Sequence, residues 1–442
     1  MNDLFAARSQ MGVSLGFHII FACIGMVMPF FMAVSHYKWL RTGEERYKSI
    51  TKAWSRGVAI FFVTGAVSGT MLSFELGLLW PEFMKHAGPI FGMPFSLEGV
   101  AFFIEAIALG FFLYGWDKLN KWFHWFTGLL TGLTGVASGI LVVAANAWMN
   151  APTGFDYVPP GAGGGGGQFL HINPWQAMAN PAWYPEALHM ILAAFVATGF
   201  AVAGVHAWMV YRGKNVDFHF KAFRIAATFA AVAAILQPFS GDIAAKSVAK
   251  LQPPKLAAME SLFHSQSPAP LLIGGIPDVS SKTVKYGIEI PGMLSFLVHD
   301  NFHEKVTGLD EVPPANQPPV TVVHFAFQLM VLLGILLFLL GILYLYGTWR
   351  KKTWLRARWL LKTFVIAIPL GFLAIEAGWT VTEVGRQPWI IYGIMRTKEA
   401  VTPMPGIVYT FCLFTLVYLM LSAIIVFLFY RQIKMVPLLY DK

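Results

Sequence analysis

Long apolar runs, separated by short polar stretches, dominate this chain. A helix needs roughly 20 apolar residues to cross a bilayer. Nine runs meet this length, at about 11–34, 55–80, 94–115, 126–149, 187–211, 219–243, 320–346, 360–383 and 405–430. The runs do not alternate apolar and polar residues, as the strands of a membrane β-barrel do. The pattern predicts an all-α integral membrane protein with nine transmembrane helices.

The charges between the runs predict which way the helices cross. Lys and Arg cluster in segments 35–54, 212–224 and 347–359, whereas segment 81–93 has one Lys and 150–186 has neither residue. Cytoplasmic loops of membrane proteins collect Lys and Arg. Every second loop is therefore predicted to be cytoplasmic, which places the N-terminus outside and the C-terminus inside.

The composition agrees with a membrane location and excludes several other classes. Charged residues make up 12% of the chain, against about 25% in soluble domains. The net charge of +9 is explained by the cytoplasmic loops, so we expect no nucleic acid partner. Cys23 and Cys412 both lie in apolar runs and form no disulfide framework or metal motif, and no CxxCH motif for covalent haem attachment occurs. The N-terminus lacks a signal-peptide pattern, so the first run is predicted to be retained.

Two polar segments interrupt the series of spans. Residues 159–167, PPGAGGGGG, predict a flexible loop, and residues 244–319 form a long loop rich in proline. A loop of that length is usually functional or disordered. We therefore divide the chain into helices 1–6 (residues 1–243), an outer loop (244–319), and helices 7–9 with a cytoplasmic tail (320–442).

His18 and His189 lie within predicted spans, both near the predicted outer face. His18 lies in GFHIIFACIG and His189 in EALHMILAAF. A single histidine in a span more often hydrogen-bonds between helices than ligates a metal, but two at similar depth favour a ligand role. Imidazole binds haem iron well, and methionine can be its partner in an electron-transfer haem. The 19 methionines do not single out that partner, and Met330 by its pattern alone is more typical of packing.

Two pairs of glutamates with equal spacing interrupt apolar runs. Glu98 and Glu105 are seven residues apart, as are Glu376 and Glu383. Seven residues are two helical turns, so each pair shares a face, with members about 10 Å apart along the axis. The alternative is that each pairs with an arginine or with backbone groups. Few basic residues lie at this depth, so the pattern favours proton relays or ligands. No role for Glu376 follows from the sequence.

Several motifs in a fixed order resemble one family. They are SLEGVAFFIEA (96–106), GWDKLNK (115–121), VVAANAWMNAP (142–152), KLAAMES (255–261) followed by QSPAP and GIPD (275–278), and EAGWTVTE followed by GRQPW (385–389). Together they resemble subunit I of the cytochrome bd quinol:oxygen oxidases over nearly the whole chain. RQPW alone would not be specific.

The resemblance implies three haems and the residues that hold them. A low-spin haem b is expected on His189 and Met330. A high-spin haem b and a haem d are expected on His18 and Glu383, and which haem sits on which ligand stays open. The resemblance further implies a proton path through Glu98, Glu105 and Ser138, and places Trp379 between haems. It implies that Arg8 and Arg386 pair with haem propionates. It also implies that Lys255 and Glu260 belong to the quinol-binding loop. Glu98 is equally a candidate ligand of the oxygen-reducing site. Without the resemblance, Lys255 and Glu260 would be interpreted as a solvated pair.

The resemblance also implies an activity and partners, and this sequence differs from the family's usual pattern at two positions. Quinol is expected to be oxidised at the outer loop and oxygen reduced to water with cytoplasmic protons, without pumping, in a bacterial or archaeal cell membrane. Subunit II is the expected partner, and a small single-helix subunit is a further candidate. Gln328 stands where the family commonly has Arg, which predicts a lower haem potential, and Ala106 stands where a Ser often assists proton transfer. Ubiquinol and menaquinol are not distinguished.

Two other classes compete with the oxidase. A membrane haem subunit of a quinol dehydrogenase would explain the His and Met residues but not Glu383 with GRQPW. A proton-coupled transporter would use the buried glutamates and predicts no haem. A haem spectrum separates the transporter from the other two, and oxygen uptake with a quinol separates the oxidase from the dehydrogenase subunit.

Overall fold

The fold is a bundle of long helices, seen in a computed structural model that describes residues 2–159 and 167–440, with side chains to residue 432. Within these residues nine helical spans are long and apolar enough to cross a membrane, which confirms the predicted fold class. The long helices are α1 (Asp3–Thr42), α2 (Glu45–Leu79), α3 (Pro81–Tyr114), α4 (Lys121–Asn150), α6 (Trp183–Tyr211), α7 (Val216–Leu251), α10 (Val320–Trp349), α11 (Arg358–Ile366) continued by α12 (Leu370–Gly385), and α14 (Ile407–Tyr440). The short helices are α5 (Pro174–Met178), α8 (Pro253–Met259), α9 (Met293–His299) and α13 (Thr397–Ala400).

Local sequence signals fix several helix ends. The Asn2 side chain accepts a hydrogen bond from the Phe5 amide at the start of α1, and Gly43 ends that helix with φ of +70°. Asn120 caps the start of α4 in the same way as Asn2 caps α1. Asparagine side chains satisfy the free amides of a first turn, and glycine adopts the left-handed conformation at no steric cost.

The predicted spans differ from the helices in length and in one break. Helix α7 continues to Leu251, beyond the predicted end at 243, because its last two turns are polar and therefore fall outside an apolar run. The predicted eighth span is divided into α11 and α12 at Ala367–Pro369. Proline lacks the amide that would continue the helical hydrogen bonding, and hydropathy does not detect that break.

The long segment between α7 and α10 is ordered. It contains α8, α9 and a two-stranded antiparallel hairpin of β3 (Leu271–Asp278) and β4 (Thr283–Ile290). Two smaller hairpins, β1 (Asp156–Val158) with β2 (Gln168–Leu170) and β5 (Trp389–Ile391) with β6 (Met395–Arg396), lie at the same end of the bundle. Residues 160–166 of the predicted glycine-rich loop lie outside the described residues.

Small residues let the central helices approach closely. The α6–α7 interface includes the fully buried alanines Ala226 and Ala230. A Cβ on Gly199 would lie 2.7 Å from the Cβ of Ala230. Within a membrane, where apolar side chains gain little by leaving lipid, close packing of small residues is a main source of helix association. This interface holds the two helices on which His189 and its partners lie.

We name the two ends of the bundle by their loops. The basic end contains the connections α1–α2, α3–α4, α6–α7 and α10–α11, which include the lysine- and arginine-rich segments. The opposite end, called the quinol-loop end after the predicted loop, contains the long segment 252–319 and the turn after α12. The assignment of the basic end to the cytoplasm stays a prediction.

Candidate functional site

His18 on α1 is held by a serine and faces a glycine of α2. Its Nδ1 lies 2.9 Å from Ser68 Oγ, and Ser68 donates its own proton to the Thr64 carbonyl oxygen at 2.9 Å. Ser68 therefore accepts from Nδ1–H, which leaves the lone pair on Nε2. A Cβ on Gly69 would lie 3.1 Å from the His18 ring. The serine thus orients the imidazole, and the ring packs closely against Gly69.

His189 on α6 makes a similar contact with α7, and Gln237 Nε2 also lies 3.2 Å from its Nδ1 and 3.3 Å from its Nε2. Its Nδ1 lies 3.1 Å from Ser240 Oγ, and Ser240 donates to the Gln237 carbonyl oxygen at 2.9 Å. A Cβ on Gly241 would lie 3.5 Å from the His189 ring. Each histidine therefore faces a Ser–Gly dipeptide of the next transmembrane helix. These two dipeptides, at 68–69 and 240–241, are a sequence signal that sequence reasoning missed.

Met330 on α10 points at a third glycine. A Cβ on Gly378 of α12 would lie 3.0 Å from the Met330 sulfur. Gly378 precedes Trp379, a partly buried residue that packs against the main core. Two residues before Met330, Gln328 accepts from the Gly274 amide at 3.0 Å and donates to the Leu272 carbonyl at 3.0 Å. Gln328 thus anchors the β3 strand to α10.

Glu383 and Arg386 form an ion pair at the end of α12. Arg386 Nη2 lies 2.5 Å from Glu383 Oε2, and Asn146 of α4 donates to Glu383 Oε1. Arg386 is 2% exposed and donates from Nη1 to Asn150 Oδ1 at 3.1 Å. The sequence left open that Glu383 pairs with an arginine, and the structure shows this pair.

Lys255 joins the same network from α8. Its Nζ donates to Asn150 Oδ1 at 3.1 Å, and Asn150 Nδ2 donates to Glu186 Oε1 at 2.9 Å. Burial lowers the pKa of Lys255 to about 7, partly offset by Glu186. Asn150 therefore connects the predicted quinol-loop lysine with Arg386, and through it with Glu383. Sequence reasoning missed both Asn150 and Glu186.

Glu260 lies at the end of α8 and is also buried. It is 5% exposed, and its Oε2 has no hydrogen-bond partner within the described residues. Burial raises its pKa to about 8, and a hydrogen bond from the Leu272 backbone opposes the shift. Because both Glu260 and Lys255 are buried, the solvated-pair interpretation is wrong.

The predicted proton-path residues lie at one helix interface. Ser138 of α4 lies beside the carboxyl of Glu98 on α3. Glu105, 7% exposed, lies two turns further along α3, and its Oε1 is 3.6 Å from the place of a Cβ on Gly135 of α4. The shared face expected from the seven-residue spacing is present.

The other predicted residues lie apart from this network. Arg8 is exposed on α1. Glu376 lies against Gly16 of α1, with its Oε2 3.1 Å from the place of a Cβ, and its buried Oε1 has no partner within the described residues. A further acid, Glu75 of α2, is fully buried and accepts from Gln10 Nε2 at 3.1 Å. The prediction missed Glu75, although it lies within the predicted run 55–80.

Comparison with known proteins identifies the family. Residues 6–437 match the family "Cytochrome bd terminal oxidase subunit I". Two Bacillus subtilis proteins are similar: the "Putative cytochrome bd menaquinol oxidase subunit I" is 35% identical, covering 97% of this chain and 96% of that protein, and the "Cytochrome bd ubiquinol oxidase subunit 1" is 30% identical, covering 98% and 94%. The bd oxidase structure from Geobacillus thermodenitrificans superposes with a TM-score of 0.91 at 33% identity over 98% of both chains. This chain therefore belongs to the cytochrome bd terminal oxidase subunit I family.

Proposed function

We propose that this chain holds two haems b and one haem d and, with subunit II, oxidises quinol and reduces oxygen to water. Membership of the family supports the coarser statement of a haem-containing quinol oxidase in the cell membrane that works with subunit II. It favours an oxidase over the quinol dehydrogenase and transporter alternatives. The haem types, the residues, the direction of the protons and a small single-helix subunit belong to the proposal.

The two histidine sites are the observation that carries the proposal. In each, a serine accepts from Nδ1–H, so Nε2 keeps a lone pair, and the ring packs against an adjacent glycine. At His189 the Gln237 amide nitrogen also lies 3.3 Å from Nε2. Haem iron takes a neutral imidazole whose other nitrogen is hydrogen-bonded. Met330 also faces a glycine and offers a sulfur ligand. These residues fit haem: His189 and Met330 would hold the low-spin haem b, and His18 and Glu383 the high-spin pair.

When bound, the haems would supply the electron carriers and the oxygen-binding iron. The protein's own groups would position quinol and move protons. Lys255 and Glu260 would bind the quinol hydroxyls, with Glu260 accepting a proton. Arg8 and Arg386 would pair with propionates, since a forked guanidinium suits a carboxylate. Trp379 would lie between haems.

Charge separation would follow from where protons enter and leave. Glu105, Ser138 and Glu98 form one row along the α3–α4 interface. In the proposal they deliver cytoplasmic protons for water formation, while quinol releases its protons at the quinol-loop end. The membrane is then charged by chemistry on its two sides, without a pump.

The proposal is tested on the purified complex with subunit II. A pyridine haemochrome assay is expected to give haem b and haem d in a ratio of two to one, and the complex is expected to consume oxygen with a quinol. Haem b alone would overturn the cofactor assignment. Haem without quinol-dependent oxygen uptake would favour the dehydrogenase alternative.

The burial of Glu260 predicts a pH dependence for quinol oxidation. Its raised pKa of about 8 keeps the carboxyl protonated below that pH. A group that accepts a proton must be ionised, so turnover is expected to rise as the pH increases through about 8. Glu260→Gln is expected to lower turnover and to remove this rise. The measurement is quinol-dependent oxygen uptake across this pH range.

The matched control is Glu289→Gln, on the exposed β4 strand of the same segment. Its pH profile is expected to follow that of the unmodified protein. If Glu260→Gln retains the same rise as the unmodified protein, Glu260 is not the proton acceptor.

A further inference from the structure

Helix α4 carries an unbroken row of hydroxyl groups that leads from the basic end to the glutamates. All its Ser and Thr residues, Thr127, Thr131, Thr134 and Ser138, recur at steps of three or four and so occupy one face. Thr127 and Thr131 are 3% and 0% exposed. A threonine in a span commonly bonds its own helix and needs no further role. Four on one face, ending at Glu98, make a continuous polar path.

The register of α3 and α4 places this row beside Glu105. The helices are antiparallel, Ser138 meets Glu98, and His124 meets Phe112. Thr131 is seven residues from both Ser138 and His124 on α4, and Glu105 is seven residues from both Glu98 and Phe112 on α3. The backbones of Thr131 and Glu105 therefore lie level with each other. Gly135, one turn from Thr131 toward Ser138, has its Cβ position 3.6 Å from Glu105 Oε1, so the carboxyl points along the row toward Ser138. The row therefore reaches the predicted proton carrier.

The threonine hydroxyls are tied to one another through the backbone. Thr127 donates to the His124 carbonyl at 2.8 Å, Thr131 to the Thr127 carbonyl at 3.0 Å, and Thr134 to the Thr131 carbonyl at 3.2 Å. Each oxygen keeps lone pairs that can accept from a water. Residues three or four apart on a helix face lie about 5–6 Å apart, a gap that one water molecule bridges.

At the basic end the row begins at two buried histidines. His124 is 2% exposed, and its Nε2 lies 2.8 Å from the Phe112 carbonyl oxygen, so Nε2 carries a proton. His36 of α1 is fully buried 5.0 Å from His124 between ring centroids, and neither of its ring nitrogens has a partner within the described residues. A buried neutral imidazole needs one donor and one acceptor partner. An unpartnered imidazole beside a second one suits a site that takes up water or a proton.

Charged groups surround the entrance to this pair. Trp39 and Trp116 pack on His36. Lys48 and Lys121 contact the Trp39 ring at 4.8 and 5.8 Å, and Lys52 contacts the Trp116 ring at 4.9 Å. Asp117 acts electrostatically on His124. The pair therefore lies one layer of side chains below the basic surface.

From this arrangement we infer that His36 and His124 are the proton entry and that Thr127, Thr131 and Thr134 carry protons from them to Glu105. The inference rests on the proposed function, in which Glu105 supplies protons for water formation.

The test compares three variants of the complete oxidase reconstituted in liposomes. Thr131→Val keeps the volume and removes the hydroxyl, and is expected to lower oxygen turnover on the order of tenfold and to raise the solvent deuterium isotope effect. Thr131→Ser keeps the hydroxyl and is expected to recover most of the loss. Thr70→Val is the control, because Thr70 of α2 makes the same kind of backbone bond at 2.8 Å but is exposed and off the row.

Each outcome decides the question. A reduced turnover with unchanged haem spectrum in Thr131→Val alone supports the row, since a structural role would alter the spectrum and would not raise the isotope effect. Turnover and isotope effect equal to those of Thr70→Val overturn it. If Thr131→Val loses haem, Thr127→Val takes its place. A reduced turnover with a raised isotope effect in Thr127→Val then supports the row, and values equal to those of Thr70→Val overturn it. If the unmodified complex consumes no oxygen with quinol, the proposed function fails instead.

Discussion

Replacing Met330 with leucine is expected to abolish the absorbance of the low-spin haem while the d-type band persists. Leucine nearly conserves the volume that faces Gly378, and such swaps in a core usually cost less than about 1.5 kcal/mol. Leucine cannot ligate iron, so the haem on His189 would lose its second ligand. The measurement is the reduced-minus-oxidised spectrum of the purified complex.

A second buried methionine provides the control for this prediction. Met209 of α6 is 6% exposed and is assigned no part in the site. Met209→Leu is expected to leave the spectrum as it is. An unchanged spectrum in Met330→Leu would exclude Met330 as a ligand and would require another residue opposite His189.

Removing Arg386 is expected to be the most destabilising single change at the site. Its side chain is 1% exposed and is the cationic partner of Glu383. Breaking a fully buried pair costs about 3–5 kcal/mol, and we expect the lower end of that range because Glu383, the charge left behind, is 29% exposed. Arg386→Leu also removes the donor to Asn150 Oδ1. We expect a large fall in thermal stability and loss of oxygen reduction, measured by melting of the purified complex and by oxygen uptake.

A double variant separates the charge effect from the role of Glu383. Glu383→Gln combined with Arg386→Leu removes both charges, and is expected to recover much of the stability lost in Arg386→Leu. Oxygen reduction is expected to stay lost, because the amide that replaces the Glu383 carboxylate is no ligand for iron. A double variant as unstable as Arg386→Leu would mean that the pairing with Glu383 is not the source of the effect.

The sequence predicts the spans well because bilayer thickness sets their length. Each of the nine predicted runs lies in its own helical span and extends past it by no more than two residues. What hydropathy missed was local: the polar end of α7 and the break at Pro369. Neither changes the mean apolarity of a run, and both depend on backbone hydrogen bonding instead.

The sequence predicts those site residues that are unusual at their own position in the chain. His18, His189 and the glutamates stand out because polar residues in apolar runs are rare. Asn150 does not stand out, since its importance comes from contacts with Glu186, Lys255 and Arg386, which are far apart in the chain. The burial of Lys255 could not be predicted either, because its segment is polar.

The threonines of α4 bear on how the protein enters its membrane. Each of their hydroxyls donates to a carbonyl of the same helix. A single α4 can therefore partition into lipid before its neighbours arrive, with those donors already satisfied. Helix α3, by contrast, exposes Glu98 and Glu105 until α4 covers them, and an ionisable group facing lipid is costly. Insertion of α3 and α4 as one hairpin would shield the acids at the moment they leave the insertion machinery.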